Sequence, residues 1–458
     1  MDSRTPTSSI KGLCWPAIPS QQGAALLAMQ FQLEQSQWWS PETLRAQQFK
    51  QLEGVLAHAC RTVPYYRDSF KAVGFKPGAV ALKDAWPQIP ILKRADIQEA
   101  GDTLHSQVIP GEHGKQSKIW TSGSTGSPIS VLGTGLTQHM WQAFTLREQL
   151  WHNRDLSAKL AVIRYFAEDV ALAPGGASSD KWGPSTGQVY RTGRCEILNM
   201  ASSIEQQAIW LQRHNPEYLL TFPSNLQALA DYFIVHDLLL PNLRAVSTLS
   251  EAIGPDLRNS VRRAWGVELQ DMYSTQEVGY IALQCPENEH YHVQSENALI
   301  EILNDNDEEC APGEVGRVVV TTLHNFATPL IRYEIGDYAE VGEECSCGRG
   351  LPVVTKILGR FRNMIMLPTG EQRWPILGYS QFEDIIDIRQ IQTIQHSADE
   401  IEMKLVVNEK VSAEQEQQLI AVIRDSLGYP FQVRFSYVDE ISRGKSGKYE
   451  EFICKHAT

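Results

Sequence analysis

Tyr218-Leu-Leu-Thr221, then a helical run from Pro223 to His236, then Ala245-Val-Ser-Thr-Leu249, then a second helical run from Asp256 to Trp265: the chain passes twice from a short β-rich segment to a helix. Leu160-Ala-Val-Ile163 lies upstream with the same texture, so the alternation extends from about Trp120 to Gly279. Strand and helix in alternation imply a layered α/β core around a mostly parallel sheet.

Outward from this core the texture changes on both sides. From Met29 to Phe75 the chain reads as helices. Ser40-Pro-Glu42 supplies a cap and a proline at a helix start, Leu52, Leu56 and His58 recur at helical spacing, and Thr62-Val-Pro-Tyr-Tyr-Arg67 closes the stretch. Beyond Tyr291, Ala298-Leu-Ile-Glu-Ile-Leu303 is followed by turn-rich 304–313 and by Gly316-Arg-Val-Val-Val-Thr-Thr322, the pattern of antiparallel hairpins. A last unit starts near Gly359, with a strand-like Glu400-Ile-Glu-Met-Lys-Leu-Val-Val407, a helix from Ser412 to Leu427 and a strand around Phe431–Val438. The expected organisation is α/β: a large N-terminal body over residues 1–358, with parallel sheets and a β-rich hairpin region, and a small α+β domain over 359–458.

Composition narrows the function classes. The 458 residues are 42% hydrophobic and 21% charged, with a net charge of -13. An acidic surface repels nucleic acid and anionic membranes at long range, so neither is expected as a partner. The first twenty residues hold no apolar core of signal-peptide type, and eighteen apolar residues never run together, so a cytoplasmic location is expected. Eight cysteines in a chain this long are too sparse for a disulfide framework. Cys14, Cys60, Cys195, Cys310 and Cys454 read as scattered thiols.

The most chemically suggestive segment is Thr121-Ser-Gly-Ser-Thr-Gly-Ser-Pro128, directly after Lys118-Ile-Trp120. Glycines let backbone approach a ligand, while hydroxyls and exposed N–H groups can surround phosphate oxygens. A flexible polar linker has a similar composition, but does not need this ordered spacing between two structured segments. No Gly-Lys-Ser/Thr follows, so this is not a Walker A loop, and any lysine for the phosphates must come from elsewhere.

With this loop the chain resembles the adenylate-forming superfamily, and further stretches occur in that family's order. Ser250-Glu-Ala-Ile253 and Asp271-Met-Tyr-Ser-Thr-Gln-Glu277 look like the adenine-binding segment. Pro329-Leu-Ile-Arg-Tyr-Glu-Ile-Gly-Asp337 looks like the ribose-binding segment, Gly359-Arg-Phe-Arg-Asn363 like the interdomain hinge, and Arg443-Gly-Lys-Ser-Gly-Lys448 like the C-terminal lysine motif. Val63-Pro-Tyr-Tyr-Arg67 and Cys345-Ser-Cys-Gly-Arg349 are similar to the phenylacetate–CoA ligase branch, including its capsule-cluster relatives. One departure is Gln276, which stands where the family usually has a small residue.

The resemblance implies ATP-dependent activation of a carboxylic acid to an acyl-adenylate, then transfer to coenzyme A. Thr121, Ser122, Gly123, Ser124, Thr125 and Gly126 would cradle the phosphates, and Ser250, Glu251, Ala252, Ser274 and Thr275 would join them in binding the nucleotide. Tyr273 would stack on adenine, Asp337 would accept both ribose hydroxyls, and Arg360 would approach the ribose or phosphates. Glu277 would hold Mg²⁺ as a hard oxygen ligand. Lys448 would be the catalytic cation at the anionic centre, favoured over Lys445. Arg362 would sit at the hinge about which the small C-terminal domain rotates. Phe222, Pro223, Ser224 and Gln276 would line the acid site. Trp141 and Phe144, on the helix after the loop, are further candidates, and apolar walls suit an aryl or short apolar acid.

The remaining cysteines bear on a metal. Cys285-Pro-Glu-Asn-Glu-His-Tyr-His292 together with Cys345-Ser-Cys347 can supply a Cys₃His zinc site, or can simply be buried thiols beside a histidine. The resembled branch carries such a zinc, which favours Cys285, His292, Cys345 and Cys347 over a set using His290, in a structural role. An amine, a hydroxyl or a carrier-protein thiol is the alternative acceptor to CoA, and a non-catalytic nucleotide-binding protein is the more remote alternative. A homodimer is compatible with either.

Overall fold

The computed structural model describes residues 5–120, 129–166, 170–254, 256–360, 365–369, 372–373, 382, 385–441 and 452–455. Three helices open the chain: α1 (Gln21–Ser36), α2 (Pro41–Thr62) and α3 (Pro64–Ala72). Short helices α4 (Leu82–Ala85) and α5 (Arg94–Ala100) follow, then the antiparallel pair β1 (Ser117–Trp120) and β2 (Ser130–Gly133), and then α6 (Gly135–Trp151). The anticipated cap at α2 is present: Ser40 accepts from the Thr43 N–H at 3.3 Å, and Pro41 occupies the first turn, where no N–H is needed.

The alternating region contains β3 (Leu160–Arg164), β4 (Ala177–Ser179), α7 (Pro184–Gly187), β5 (Cys195–Asn199), α8 (Ile204–His214) and β6 (Tyr218–Thr221). It continues with α9 (Pro223–Val235), β7 (Ala245–Leu249), α10 (Leu257–Trp265) and β8 (Glu268–Thr275). Strands β5, β3, β6, β7 and β8 pair in parallel. They are covered on both faces, which is why β7 is buried along its whole length and reads as a continuous run rather than an alternating one. On one face α8, α9 and α10 bring Trp210, Leu211, Leu226, Phe233 and Val261 against Ala161, Ile163, Leu219, Val246 and Leu269. On the other, α1 and α6 bring Leu26, Leu33, Met140 and Phe144 against Leu249, Met272, Tyr280 and Leu283.

The hairpin region is not a separate sheet. Strands β9 (Gly279–Gln284), β10 (Tyr291–Val293), β11 (Ala298–Leu303), β12 (Val315–Thr322), β13 (Tyr333–Val341) and β14 (Val353–Arg360) extend the parallel strands. The result is one twelve-stranded ladder, β11-β12-β13-β14-β10-β9-β8-β7-β6-β3-β5-β4. The join is the β8–β9 hairpin, in which Thr275 opposes Gly279 and the chain reverses over 276–278. Gly279 has φ +91, a conformation that suits a residue without a Cβ.

After a two-stranded pair, β15 (Ile365–Met366) and β16 (Gln372–Arg373), comes a smaller sheet with its own core. Its strands are β17 (Ile388–Gln395), β18 (Glu400–Val407), β19 (Gln432–Tyr437) and β20 (Phe452–Cys454), in the order β19-β18-β17-β20. Helix α11 (Ala413–Leu427) crosses between the parallel strands β18 and β19 and packs Leu419, Ile423 and Leu427 against Ile401, Met403 and Leu405. It starts at the anticipated Ser412, which forms a reciprocal capping box with Gln415. All eight cysteines are free thiols. Among the described residues, no helix is long and apolar enough to cross a membrane.

Candidate active site and metal cluster

The parallel strands β3, β6, β7 and β8 end along one edge, the position where open α/β sheets bind ligands. Phe222 directly follows β6, Ser250 follows β7, and the Tyr273–Glu277 segment runs off β8 into its hairpin turn. Ser250 has φ +74, so the chain turns sharply out of β7 at the first of the sequence-identified residues. The Glu251 carboxylate accepts the Ser224 N–H at 3.0 Å and thereby occupies the start of α9. Ala252 is exposed beside it, whereas Phe222 and Pro223 are buried.

Two segments far apart in sequence meet at Tyr273, whose hydroxyl donates to Asp337 Oδ2 at 2.6 Å. Asp337 lies on β13 directly opposite Arg360 on β14. The residues assigned by resemblance to adenine and ribose are therefore within hydrogen-bonding reach of each other. Thr275 Oγ1, at the end of β8 just before the turn that carries Gln276 and Glu277, is buried without a hydrogen-bond partner among the described residues. Gln276 is exposed and Glu277 half-buried. Thr121, Ser122, Gly123, Ser124, Thr125, Gly126, Arg362 and Lys448 lie outside the described residues, as does the side chain of Arg360.

These segments are anchored from behind. Asp271, a residue of β8, is buried and accepts from Thr248 Oγ1 at 2.6 Å and from the Tyr291 hydroxyl at 2.7 Å. Burial pushes its carboxyl up to about 6, against the opposing pull of those hydrogen bonds. Within the ribose-type segment, Arg332 has φ +47 and is buried. Its Nη2 lies 3.1 Å from Glu301 and its Nη1 donates to the Ile89 carbonyl at 2.7 Å. Burial raises the Glu301 carboxyl, and the Arg332 charge opposes that rise.

On α6, Trp141 is half-buried with its ring 5.3 Å from that of Tyr280, whereas Phe144 is fully enclosed in the core. Only Trp141 of the two is placed to meet a ligand. A cation that the sequence pattern did not single out also lies here: Arg164, the last residue of β3, immediately after the apolar run that marked the strand.

Behind the sheet, Cys285, His292, Cys345 and Cys347 converge, with all four ligand atoms within 4.8 Å of one another. Cys285 follows β9 and His292 is on β10, while Cys345 and Cys347 come from the β13–β14 connection. Two hairpin loops thus supply the set. Cys285 and Cys345 sulfurs are 3.8 Å apart, and Cys347 Sγ lies 3.3 Å from His292 Nε2. His292 Nδ1 faces the Leu351 carbonyl at 3.3 Å, which favours the tautomer leaving Nε2 as a ligand. Burial holds the imidazole neutral, at about 4. Three sulfurs and one imidazole nitrogen at this separation fit a tetrahedral zinc ion. His290 stays outside the cluster.

The comparisons with known proteins come from three directions. Residues 379–455 match the CapK C-terminal domain. Over 341 residues the chain is 26% identical to phenylacetate–coenzyme A ligase of Thermus thermophilus, covering 71% of this chain and 72% of that one. It is 25% identical to the enzyme of the same name from Escherichia coli, covering 72% and 74%. Among solved structures it is similar to a 2-hydroxyisobutyryl–CoA ligase in the postadenylation state in complex with 2-HIB-AMP, with TM-score 0.69, 19% identity and 89% of each chain covered.

Proposed function

We infer that this adenylate-forming, phenylacetate–CoA ligase-like protein is an AMP-forming acid–CoA ligase. The observation that carries the assignment is the Tyr273–Asp337 hydrogen bond at 2.6 Å, which unites the adenine-type and ribose-type segments at the carboxyl edge of the sheet. In the first half-reaction an oxygen of the acid attacks the α-phosphorus of ATP. An O–P bond forms, the bond to the bridging oxygen breaks, and pyrophosphate leaves with the electron pair. In the second, the sulfur of CoA attacks the acyl carbon, AMP departs, and the thiol proton passes to solvent.

Both steps bring anions together, so catalysis is mainly positioning and charge neutralisation. Asp337 orients the ribose through its carboxylate, and Tyr273 lies along the adenine. Thr275 contributes to the nucleotide a hydroxyl that has no hydrogen-bond partner among the described residues, and the 121–126 segment is assigned the further N–H and hydroxyl donors. Lys448 neutralises the α-phosphate and the attacking carboxylate. Glu277 would hold Mg²⁺, which supplies charge neutralisation on the phosphates. Cys285, His292, Cys345 and Cys347 would hold Zn²⁺ in a structural role, with no position left for substrate. The expected division at 358/359 falls inside β14, which stays in the large sheet through Arg360, and the separate core of the smaller sheet, beginning at Ile365, supports a boundary just after that strand.

Acid-dependent exchange of labelled pyrophosphate into ATP tests the first half-reaction. Mass analysis of the products with CoA, and with amines in its place, tests the second. A protein that binds ATP but gives no exchange with any acid is not a ligase, and an amide product in place of a thioester reassigns the acceptor.

A further inference from the structure

Strand alternation decides where Arg164 points. Ala161 and Ile163 pack into the core formed with α8 and α9, so Val162 and Arg164 face the opposite side, toward α6. That side holds Leu220, Leu249, Met272, Tyr280 and Trp141. The main chain at Arg164 is pinned, since its carbonyl accepts from the Met200 N–H at 2.8 Å. The next turn is pinned as well: the buried Asn199 side chain donates to the carbonyls of Phe166 at 3.3 Å and Val170 at 3.0 Å.

The guanidinium is only partly exposed, and among the described residues it has no ion pair or side-chain hydrogen bond. Burial lowers its basicity, and Tyr280 is the one described titratable group that counteracts this. An arginine stays charged even so. Two buried arginines on neighbouring elements are matched: Arg147 by Glu296 at 3.0 Å and Arg154 by Glu148 at 2.6 Å. An unmatched cation among apolar side chains costs free energy unless something else supplies the anion.

We propose that Arg164 is a specificity-determining residue, and that the acid activated here carries a second anionic group, a carboxylate in the simplest case, which Arg164 binds at the β3 end of the strand edge, remote from the reacting carboxylate. The inference rests on the adenylation assigned above and names its substrate class. In the order β8-β7-β6-β3, three strand spacings separate Arg164 from the Thr275–Glu277 end, roughly 14 Å. Allowing for the reach of the arginine side chain, one aromatic ring or a short chain spans the remainder. Phenylacetate, the acid in the relatives' names, has a single carboxylate and offers Arg164 no counter-charge.

Pyrophosphate exchange with matched acids tests this: phenylacetate against 4-carboxyphenylacetate, and hexanoate against adipate. The expected result is a kcat/KM at least about tenfold higher for the diacid of each pair, equivalent to about 1.4 kcal/mol. Arg164→Leu should collapse that ratio below one, and Arg164→Lys should keep part of it, with thermal midpoints and zinc content confirming that both variants fold. A wild-type preference for the monoacids, or a ratio that Arg164→Leu leaves unchanged, overturns the inference while leaving the adenylating activity standing. The unchanged ratio includes the case in which Arg164 holds the reacting carboxylate, where both acids lose equally. No exchange with any of the four acids overturns the inference, and the adenylating activity is then decided by exchange with a wider set of acids.

Discussion

Tyr273 and Asp337 are the most direct place to test the nucleotide site by single substitution. A hydrogen bond to a charged acceptor contributes about 1.5–3 kcal/mol when neither partner has water as an equal substitute. Both groups are half-buried, so the lower end of that range applies. Tyr273→Phe should therefore raise the KM for ATP by about tenfold, with a smaller effect on kcat. Asp337→Ala should be more severe, because it removes the ribose acceptor as well. Steady-state kinetics at varied ATP separate the two, and an unchanged KM in Tyr273→Phe would remove the hydroxyl from the site. Asp271 behaves differently because it serves the strand rather than the ligand. Its folded-state pKa of about 6 lies above that of an unfolded aspartate, so the native state binds the proton more tightly. That contribution to stability is fully present below about pH 4 and is lost as the pH rises through about 6. Asp271→Asn should flatten the stability profile across that window, by on the order of 2–3 kcal/mol in denaturant titrations. Equal slopes for the two proteins would assign the titration elsewhere.

At the scale of elements, the ribose-type segment and the metal cluster are both held by contacts between distant hairpins. Arg332 joins the segment before β13 to Glu301 on β11, and Glu301 is buried beside it. Arg332→Ala leaves that carboxylate without a counter-charge and should cost about 3–5 kcal/mol. The double variant Arg332→Leu with Glu301→Leu should recover much of the loss, and its failure to do so would mean that the Ile89 carbonyl contact dominates. The cysteine cluster packs onto the end of α1 through Arg349, whose guanidinium lies 4.9 Å from the Trp38 ring and 4.7 Å from that of Trp151 on α6. Protein purified without chelator should contain one zinc per chain, and chelation should lower the thermal midpoint by several degrees. Metal analysis that finds none would leave four free thiol and imidazole groups. Helix starts such as Ser40 and Ser412, and the strands around 160, 218 and 245, were legible because their signals are local. The fusion of the hairpins with the parallel strands was not, since β8–β9 pairing depends on which sheet edge is free in three dimensions. Arg164 escaped for a related reason: a charged residue ending an apolar run reads as a strand terminus, and its lack of a partner among the described residues emerges only from the packing.

At the scale of the molecule, the body and the smaller C-terminal sheet each have an independent core, and the lysine assigned to the chemistry lies in sequence between β19 and β20 of the smaller one. A cation at the end of a separate unit can be present for one half-reaction and absent from the next if that unit turns about the segment after β14. Such motion concentrates its backbone changes in a few residues, as hinge closure generally does. The two half-reactions need opposite things. Adenylation gathers a carboxylate and a triphosphate and needs an extra positive charge, whereas thioester formation starts from an adenylate whose pyrophosphate has gone and needs room for CoA. Lys448→Ala should therefore cut pyrophosphate exchange by about a hundred- to a thousandfold if it contributes as preorganised charges of this kind do. The same variant should still form thioester from acyl-adenylate supplied in the tube at close to the unsubstituted rate. Equal loss of both half-reactions would mean that Lys448 acts throughout, or that the variant has lost its fold. The zinc content and thermal midpoint of the variant distinguish these. If Arg362→Pro, which stiffens the assigned hinge, instead spares exchange while slowing thioester formation, the two reactions are assigned to two orientations of one small domain over a single site.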